Sequence, residues 1–401
     1  MRRLLSIVVL LVMLLGLWFV LLPDHLFLST GPAKDGPRAA WVSKQWTANI
    51  AVDPLTVNTA QLDLTIAEHE RLTAHKLRAH QLPDGTLTWV GLLSAAGKAP
   101  AAAQTLEAAL NTITLVSSNG RITGTLRWNR HIYRLHPAAN EHVLEEVNEA
   151  MLPPDHGPGQ PVSGASSQRL SAPSAHAPGH ATIRVLVVAS KDAGDAVEDL
   201  RALAHLAIEE SNQTYINSQI ALSLELADFK QLDYVESPFL ALDLNRLVAT
   251  NDGYMDEAHR LRDELNADVV VLLLDGNDSA CGQAAGKPAN AETAFVVASL
   301  QCIGVSRFTV AHEIGHLLGA SHQYVEGIAD PFRYGHGFVH EPQGNIGWNT
   351  VMANVTETNK VRLPFWSDPD RLMDGVSMGD IETADNHRLL EETKWIVAGF
   401  R

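Results

Sequence analysis

The chain has 401 residues, of which 46% are hydrophobic and 19% charged, and its formal net charge is −16. This length is enough for two domains with buried cores. The acidic excess argues against a nucleic-acid-binding protein, because phosphate contacts require a surplus of lysine and arginine.

An apolar segment, residues 4–22, follows a pair of arginines at the start of the chain. Its nineteen residues exceed the usual hydrophobic region of a secretory signal, about 7–15 residues, and reach the length of a spanning helix, about 17–25 residues. Trp18 and Phe19 near its outer end are typical of a membrane interface. We expect residues 1–23 to be a signal anchor, with a cleaved signal peptide as the alternative. In both cases the rest of the protein is extracytoplasmic, either membrane-anchored through residues 4–22 or secreted.

The chain contains two cysteines, Cys281 and Cys302. In the oxidising compartment that export implies, such a pair commonly forms a disulfide. We therefore predict a Cys281–Cys302 disulfide, with two buried free thiols as the alternative.

A segment rich in Pro, Gly, Ser and Ala, residues 153–181, divides the chain and is predicted to be an exposed linker. Residues 24–152 carry β-branched residues in partial alternation, separated by Asp-Gly and Asn-Gly turn signals. These patterns predict a small, mainly antiparallel β domain. Residues 182–401 alternate apolar strand patterns with helical stripes, so the whole chain is predicted to be α+β.

The segment TVAHEIGHLLGASH, residues 309–322, lies at the end of this alternation. Apolar residues at i, i+4 and i+7, with Ser306 as the N-cap, predict a helix over Arg307–Leu318. His312 and His316 are four residues apart and project from the same helix face, where both can bind one zinc ion at about 2.0–2.1 Å.

The third histidine of the motif, His322, requires a break in the helix. A continuous helix would place His322 about 15 Å beyond His312, which is too far for a shared ion. Gly319 stands where the chain must turn back, and glycine tolerates the left-handed conformation that ends helices. The pattern H-E-x-x-H-x-x-G-x-x-H therefore predicts one metal site, with Glu313 as its catalytic carboxylate.

This extended motif, together with TVMAN at residues 350–354, resembles the metzincin metalloproteases, and most closely the bacterial reprolysin-like and peptidyl-Asp metallopeptidases. The supporting segments are CGQAAG (281–286), YGHGF (334–338), FWSDPD (365–370) and ADNHRLL (384–390). The resemblance covers most of residues 182–401. More weakly, it relates the first half of the chain to a propeptide.

The resemblance implies a zincin-like catalytic domain with a mixed twisted sheet and an active-site helix. It implies His312, His316 and His322 as ligands of one catalytic Zn²⁺, Glu313 as general base and acid, and Met352 beneath the metal. Protein or peptide substrates would add to an edge strand of the sheet by strand pairing. That strand is expected to contain Gly282, Gln283, Ala284, Ala285 and Gly286. A calcium site is compatible with the resemblance, but no ligands can be assigned to it.

The sequence departs from the family pattern at two points. Asn354 stands where many metzincins have a tyrosine, so a role for a tyrosine there is in doubt. The first half has no cysteine that could block the metal. Asp155 or His156 could block it instead, although a linker residue without metal contact is the favoured interpretation.

A different class of function also fits these residues, namely a non-catalytic zinc-binding or adhesion module. Such a module would need a fourth protein ligand, for which His336 and His340 are the candidates considered. Residues 41–152 could likewise bind a cell-surface ligand rather than act as a propeptide. Membrane contact is expected through residues 4–22 alone, and the sequence does not indicate an oligomeric state.

Overall fold

The computed structural model describes residues 26–36, 38–67, 69–156, 179–276, 280–341, 347–354 and 360–401. The predicted signal segment and most of the predicted linker lie outside these residues. Within them, no helix is both long enough and apolar enough to span a membrane.

The first part of the described chain forms a closed β-barrel. Its strands are β1 (Leu26–Ala33), β2 (Val42–Ile50), β3 (Gln61–Ile66), β4 (Glu70–Gln81), β5 (Leu87–Ala95), β6 (Thr112–Ser118), β7 (Arg121–Trp128), β8 (His131–Ala138) and β9 (Glu141–Val147). Their order around the barrel is β1-β2-β9-β8-β7-β6-β5-β4-β3. All neighbours pair antiparallel except β1 and β3, whose parallel pairing closes the barrel and removes the exposed sheet edges.

The barrel is filled by side chains. Trp46, Trp89, Leu115, Leu126 and Leu144 are almost fully buried in its core. A short helix, α1 (Leu106–Leu110), joins β5 to β6, and a 3₁₀ helix at Glu149–Met151 follows β9.

The second part is built on a five-stranded sheet. Its strands are β10 (Ala181–Ala189), β11 (Leu222–Gln231), β12 (Val269–Leu274), β13 (Gly282–Ala284) and β14 (Phe295–Ser299). Their order is β11-β10-β12-β14-β13, and β13 is the antiparallel edge strand of an otherwise parallel sheet. Strand β12 is apolar along its length and β10 is apolar from Val185 onward, because helices cover both faces of the sheet.

Six helices accompany this sheet, and several short strands follow the metal-site motif. The helices are α2 (Lys191–Ala196), α3 (Leu200–Asn217), α4 (Leu240–Val248), α5 (Asp256–Glu264), α6 (Thr309–Leu317) and α7 (Asn386–Val397). The remaining strands are β15 (Ser321–Gln323), β16 (His336–Gly337), β17 (Val339–His340), β18 (Gly347–Asn349), β19 (Lys360–Arg362), β20 (Asp368–Met373) and β21 (Val376–Met378). Helices α3, α6 and α7 pack on one face of the sheet and α4 and α5 on the other, so the described chain is α+β.

Helix α3 lies between the barrel and the sheet. Toward the barrel it presents polar side chains: Glu209 pairs with Arg78 of β4, and His205 Nε2 lies 3.2 Å from Asp84 Oδ2. Glu210 is also buried in this contact. The contact of this helix with the barrel therefore combines buried polar pairs with the apolar packing of Val116 from β6.

The predicted linker begins too early. Pro153 and Asp155 are buried, and the segment 153–156 lies against the start of β13. The backbone N–H of Cys281 donates to the carbonyl of Pro154 at 2.8 Å, and that of Gly282 donates to Asp155 at 3.2 Å. The composition of residues 153–156 predicts a linker because it shows no apolar periodicity. These residues are ordered by contacts with residues 281 and 282, which lie far away in the sequence.

Candidate metal centre

Helix α6 begins two residues later than the sequence predicted. Ser306 does not cap it, because Ser306 and Phe308 both have left-handed backbones, with φ of 61° and 50°. The carbonyl of Arg307 accepts a hydrogen bond from Arg362 Nη1 at 2.8 Å, and Thr309 Oγ1 donates to the carbonyl of Cys302 at 3.0 Å. These tertiary contacts determine the entry into the helix and override the local capping signal.

The helix ends at the predicted glycine. Gly319 has φ +102°, its N–H donates to His316, and the N–H of Ala320 donates to Gly315, which together form a Schellman motif. A Cβ at Gly319 would lie 2.8 Å from Phe332 Cε2. Both the positive φ and this close contact therefore require glycine at position 319. The chain then reverses into β15, which carries His322.

The three predicted ligands come together at this turn. His322 Nε2 lies 3.3 Å from His312 Nε2 and 3.1 Å from His316 Nε2. His312 Nδ1 donates to the carbonyl of Val351 at 2.8 Å, and His316 Nδ1 donates to Ala320 at 2.7 Å. With these protons on Nδ1, the Nε2 lone pairs of both rings point to one place, which is the arrangement of metal-binding histidines.

A fourth histidine joins them, contrary to the favoured sequence interpretation. His156 Nε2 lies 2.8 Å from His312 Nε2 and 3.3 Å from His316 Nε2, and all four rings offer a nitrogen within 4.8 Å of one another. Four nitrogens placed tetrahedrally at 2.0–2.1 Å from zinc would be about 3.3–3.4 Å apart. The cluster is therefore close to the dimensions of a four-coordinate zinc site.

The two other histidines considered for the fourth position lie elsewhere. His336 Nδ1 donates to the backbone carbonyl of His322 at 2.9 Å, so its ring supports the backbone of a ligand. The ring of His340 lies 5.0 Å from that of Trp348 in β18.

Burial favours the neutral form of the four histidines in the cluster. It lowers the pKa of His312 and of His316 well below the usual histidine range. It also lowers the pKa of His322 to about 3 and that of His156 to about 4. All four imidazoles are neutral at neutral pH, which is the form that binds a metal ion.

Glu313 lies beside the cluster and is not part of it. Its carboxylate is buried, Oε1 lies 3.7 Å from His156 Nδ1, and Oε2 has no hydrogen-bond partner among the described residues. Burial, and secondly the nearby Asp155, raise the pKa of Glu313 well above the usual range. Gly282 gives this carboxylate its space, because a Cβ there would lie 2.8 Å from Oε1.

The predicted methionine lies behind the helix. Met352 is fully buried, and a Cβ at Gly315 would lie 2.6 Å from its Sδ. Its neighbour Val351 provides the carbonyl that orients His312. Asn354, at the position of the family tyrosine, donates from its backbone N–H to Gln323 Oε1 at 3.0 Å.

The predicted edge strand is shorter than expected. β13 covers Gly282–Ala284 and pairs antiparallel with β14, while the next residue, Ala285, donates its N–H to Phe295 at 2.9 Å. Cys281 and Cys302 are joined by a disulfide, with Cα atoms 5.4 Å apart, which ties the start of β13 to the 3₁₀ helix at Leu300–Cys302.

Two buried arginines near the cluster were not singled out in the sequence. Arg362 of β19 binds the Asp155 carboxylate with both terminal nitrogens, and Arg307 Nη1 lies 3.6 Å from Asp155 Oδ1. The one local signal was the position of Arg362 in the otherwise apolar stretch VRLPFW, residues 361–366, which suggests a buried charge in need of a partner.

Comparisons with known proteins point to one family. The family model "Metallo-peptidase family M12B Reprolysin-like" matches residues 202–323. A peptidyl-Asp metalloendopeptidase of Stenotrophomonas maltophilia (strain K279a) is 37% identical over 376 residues, which cover 91% of this chain and 89% of the relative. One from Xanthomonas campestris pv. campestris is 36% identical over 395 residues, with 93% of each chain covered. One from Pseudomonas fragi is 31% identical over 192 residues, which are 48% of this chain and 100% of the relative.

Proposed function

The chain belongs to the family of the peptidyl-Asp metalloendopeptidases, and on that premise we propose that it is a zinc endopeptidase that cleaves peptide bonds beside aspartate. We further propose that it is made as a latent precursor, in which the part before residue 157 blocks the metal site. The observation that carries the proposal is the convergence of three neutral histidines and one buried carboxylate without a hydrogen-bond partner at Oε2.

The donor set suits zinc. His312, His316 and His322 offer three imidazole nitrogens at mutual distances near those of tetrahedral coordination, and neutral imidazole is a preferred zinc ligand. Among the described residues that follow the linker, these three form the cluster, which leaves one position for substrate or water once His156 is removed. When bound there, zinc supplies Lewis-acid polarisation of the scissile carbonyl and activation of water.

Glu313 is the group that moves the proton. Its raised pKa suits a carboxylate that must accept a proton from attacking water and then donate it to the leaving amine. Oε1 faces the ring of His156, so after the cut this oxygen faces the position that His156 has left. The absence of a tyrosine at position 354 leaves Glu313 as the proposed acid and base of this site.

The substrate would pair with β13. Cys281 and Gly282, at the start of this strand, donate their backbone N–H groups to residues 154 and 155, so these donors lie within reach of another segment. A peptide substrate would add to the free edge of β13 by strand pairing after residues 153–156 leave.

Latency follows from the position of His156. This residue precedes residues 157–178, whereas the three proposed ligands follow them, so one cut between residues 157 and 178 would make the fourth ligand removable. A permanent four-histidine zinc site, as in a structural module, is the alternative that the same geometry allows.

The location of the protein is proposed from its sequence and its disulfide. The apolar segment 4–22 directs export, as an anchor or as a cleaved signal, and a Cys281–Cys302 disulfide is compatible with an oxidising compartment outside the cytoplasm.

The test is zinc content and peptide cleavage measured before and after a single cut in residues 157–178 of the exported chain. We expect about one zinc per chain in both forms, and cleavage of an aspartate-containing peptide after the cut alone. Zinc without cleavage in either form would support the structural module. Equal activity in both forms would contradict the latent precursor.

A further inference from the structure

We infer that Arg362, assisted by Arg307, is the side chain that selects aspartate in the substrate, and that Asp155 occupies its place in the uncut chain. This inference rests on the proposed endopeptidase function and identifies the residues behind its specificity. It predicts that residues 153–156 bind the cleft in the manner of a substrate side chain and backbone.

The contact between Asp155 and Arg362 is a two-point ion pair. Arg362 Nη1 lies 3.0 Å from Asp155 Oδ1, and Nη2 lies 2.7 Å from Oδ2. Both side chains are nearly inaccessible, 1% and 5% exposed. A guanidinium in this fork geometry recognises the shape of a carboxylate as well as its charge.

Arg362 is held in position without help from Asp155. Nη1 also donates to the carbonyl of Arg307 at 2.8 Å, and Nη2 donates to that of Ala353 at 2.6 Å. Both acceptors follow the linker in sequence, and Ala353 is next to Met352 behind the metal-site helix. The fork therefore keeps its orientation when residues 153–156 leave, as a preorganised specificity site requires.

Asp155 is the shared ion-pair partner of the two buried arginines. In the described part of the chain, the ion pairs of Arg362 and Arg307 are both made to Asp155. Arg307 is 4% exposed, and its Nε and Nη1 have no hydrogen-bond partner among the described residues. Glu149 and Glu313 are two other carboxylates near these arginines. Loss of Asp155 would remove the carboxylate that both guanidinium groups pair with, which favours the entry of another anion.

The pocket is one residue away from the metal cluster. Asp155 directly precedes His156, whose ring lies in the proposed zinc site, and the carbonyls of residues 154 and 155 accept from the edge of the cleft. A substrate paired with β13 would present a residue next to its scissile bond to the same fork. Asparagine lacks the charge and glutamate is longer by one methylene, so aspartate fits best.

A simpler role for Arg362 is to anchor residues 153–156 without binding a side chain of the substrate. The two roles differ in the cut protein: an anchor has no further effect on peptide choice, whereas a specificity residue changes it. The experiment therefore compares peptides that differ at one position.

The first measurement is kcat/KM of the cut chain for two peptides that are identical except for aspartate or asparagine. Breaking a buried, hydrogen-bonded ion pair by removal of one partner corresponds to about 30-fold or more. We expect Arg362→Gln to lower cleavage of the aspartate peptide by at least that factor while cleavage of the asparagine peptide is retained. Arg371→Gln is the matched control, because Arg371 is also buried and ion-paired, with Asp368 of β20. The control should leave the ratio between the two peptides unchanged.

An unchanged preference in Arg362→Gln, or an equal loss on both peptides, would overturn the inference. If the glutamine variant does not fold, Arg362→Lys keeps the charge and removes the fork, and it should still reduce the preference. If the wild-type cut protein with bound zinc cleaves no peptide, the proposed function fails. The second measurement then tests whether the Arg362 pocket binds the Asp155 carboxylate.

The second measurement needs neither metal nor activity. In the uncut, zinc-free chain, the amides of Cys281 and Gly282 donate to residues 154 and 155, and we expect these hydrogen bonds to slow their hydrogen exchange. Asp155→Asn and Arg362→Gln should each accelerate exchange at these amides, and the double variant should exchange no faster than the faster single one. Unchanged exchange in Asp155→Asn, or additive effects, would show that the pocket does not bind this carboxylate.

Discussion

His156 Nε2 lies 2.8 Å from His312 Nε2, although 156 positions separate the two residues in the chain. Residue 156 lies near the start of the predicted linker, residues 153–181, and residue 312 lies in the helix that carries the metal-site motif. The two parts of the protein therefore meet at the site where peptide hydrolysis is proposed to occur.

Replacement of this histidine should partly activate the uncut chain. His156→Ala removes the ring from the fourth position and leaves His312, His316 and His322 in place, so zinc content should stay near one per chain. We expect peptide cleavage by the uncut chain to rise at least 10-fold but to stay below that of the cut chain, because Asp155 still occupies the cleft. Zinc analysis and a peptide assay on the same preparation test this.

A histidine of the barrel provides the control for this experiment. His131 has a 58% exposed side chain that pairs with Glu146 far from the cluster, so His131→Ala should leave latency unchanged. Loss of zinc from His156→Ala, without any gain of activity, would mean that His156 is a structural ligand.

Removal of the proposed proton acceptor should lower turnover without affecting metal binding. Glu313→Gln preserves size and burial but cannot accept a proton, so kcat of the cut chain should fall by about 100- to 10,000-fold. Zinc content should not change, because Glu313 is not among the clustered ligands. Full activity of this variant, measured with its zinc content, would refute the assignment.

The glycine at the end of α6 should be essential for the third ligand. Gly319→Ala combines a strained φ of +102° with a contact of 2.8 Å to Phe332, and we expect a loss of about 2–4 kcal/mol in stability. Zinc content should also fall, since His322 follows three residues later. Gly327→Ala is the control: its φ of +85° carries similar backbone strain, but no atom lies within 4 Å of the added Cβ. Equal melting temperatures and zinc contents in the two variants would contradict this prediction.

The contact between barrel and sheet should weaken as pH rises. Burial raises the pKa of Glu210 on α3 to about 7, so between the unfolded value near 4.5 and this value the folded chain binds more protons than the unfolded one. The contribution of Glu210 to stability is then fully present below about pH 4.5 and is lost progressively as pH increases through 7, by up to about 3 kcal/mol.

A comparison with Glu210→Gln tests this titration. Arg127 and Arg134 of the barrel also face Glu210, and both remain in the variant. The melting temperature of the variant relative to wild type should rise between pH 5 and pH 8. A constant difference over this range would show that Glu210 does not titrate there.

The metal-site motif could be read from the sequence because its geometry is local. His312 and His316 share a helix face, and a left-handed glycine at position 319 is sufficient to return His322 to them. The start of the same helix was predicted wrongly, since Arg307 bonds to Arg362, a residue 55 positions away. No local pattern contains that information.

The barrel is a second case in which local sequence patterns predict a turn but not the long-range pairing. The Asn119-Gly120 turn between β6 and β7, with φ of 50° and 75°, follows from residue type. Closure depends on the parallel pairing of Leu28 with Leu64, which no turn signal specifies. His156 and Asp155 were likewise named as candidates, but their partners lie beyond any local motif.

The polar surface of α3 has a consequence for the fate of the two parts after a cut. Separation of the barrel would expose Glu209, His205 and Glu210, which water can solvate, together with the apolar clusters that join the barrel part to residue 305 and to residues 348–378. Attraction between charged groups weakens as ionic strength increases, whereas apolar contacts are not screened. Salt should therefore loosen the contact along α3, while the apolar clusters continue to hold the severed halves together.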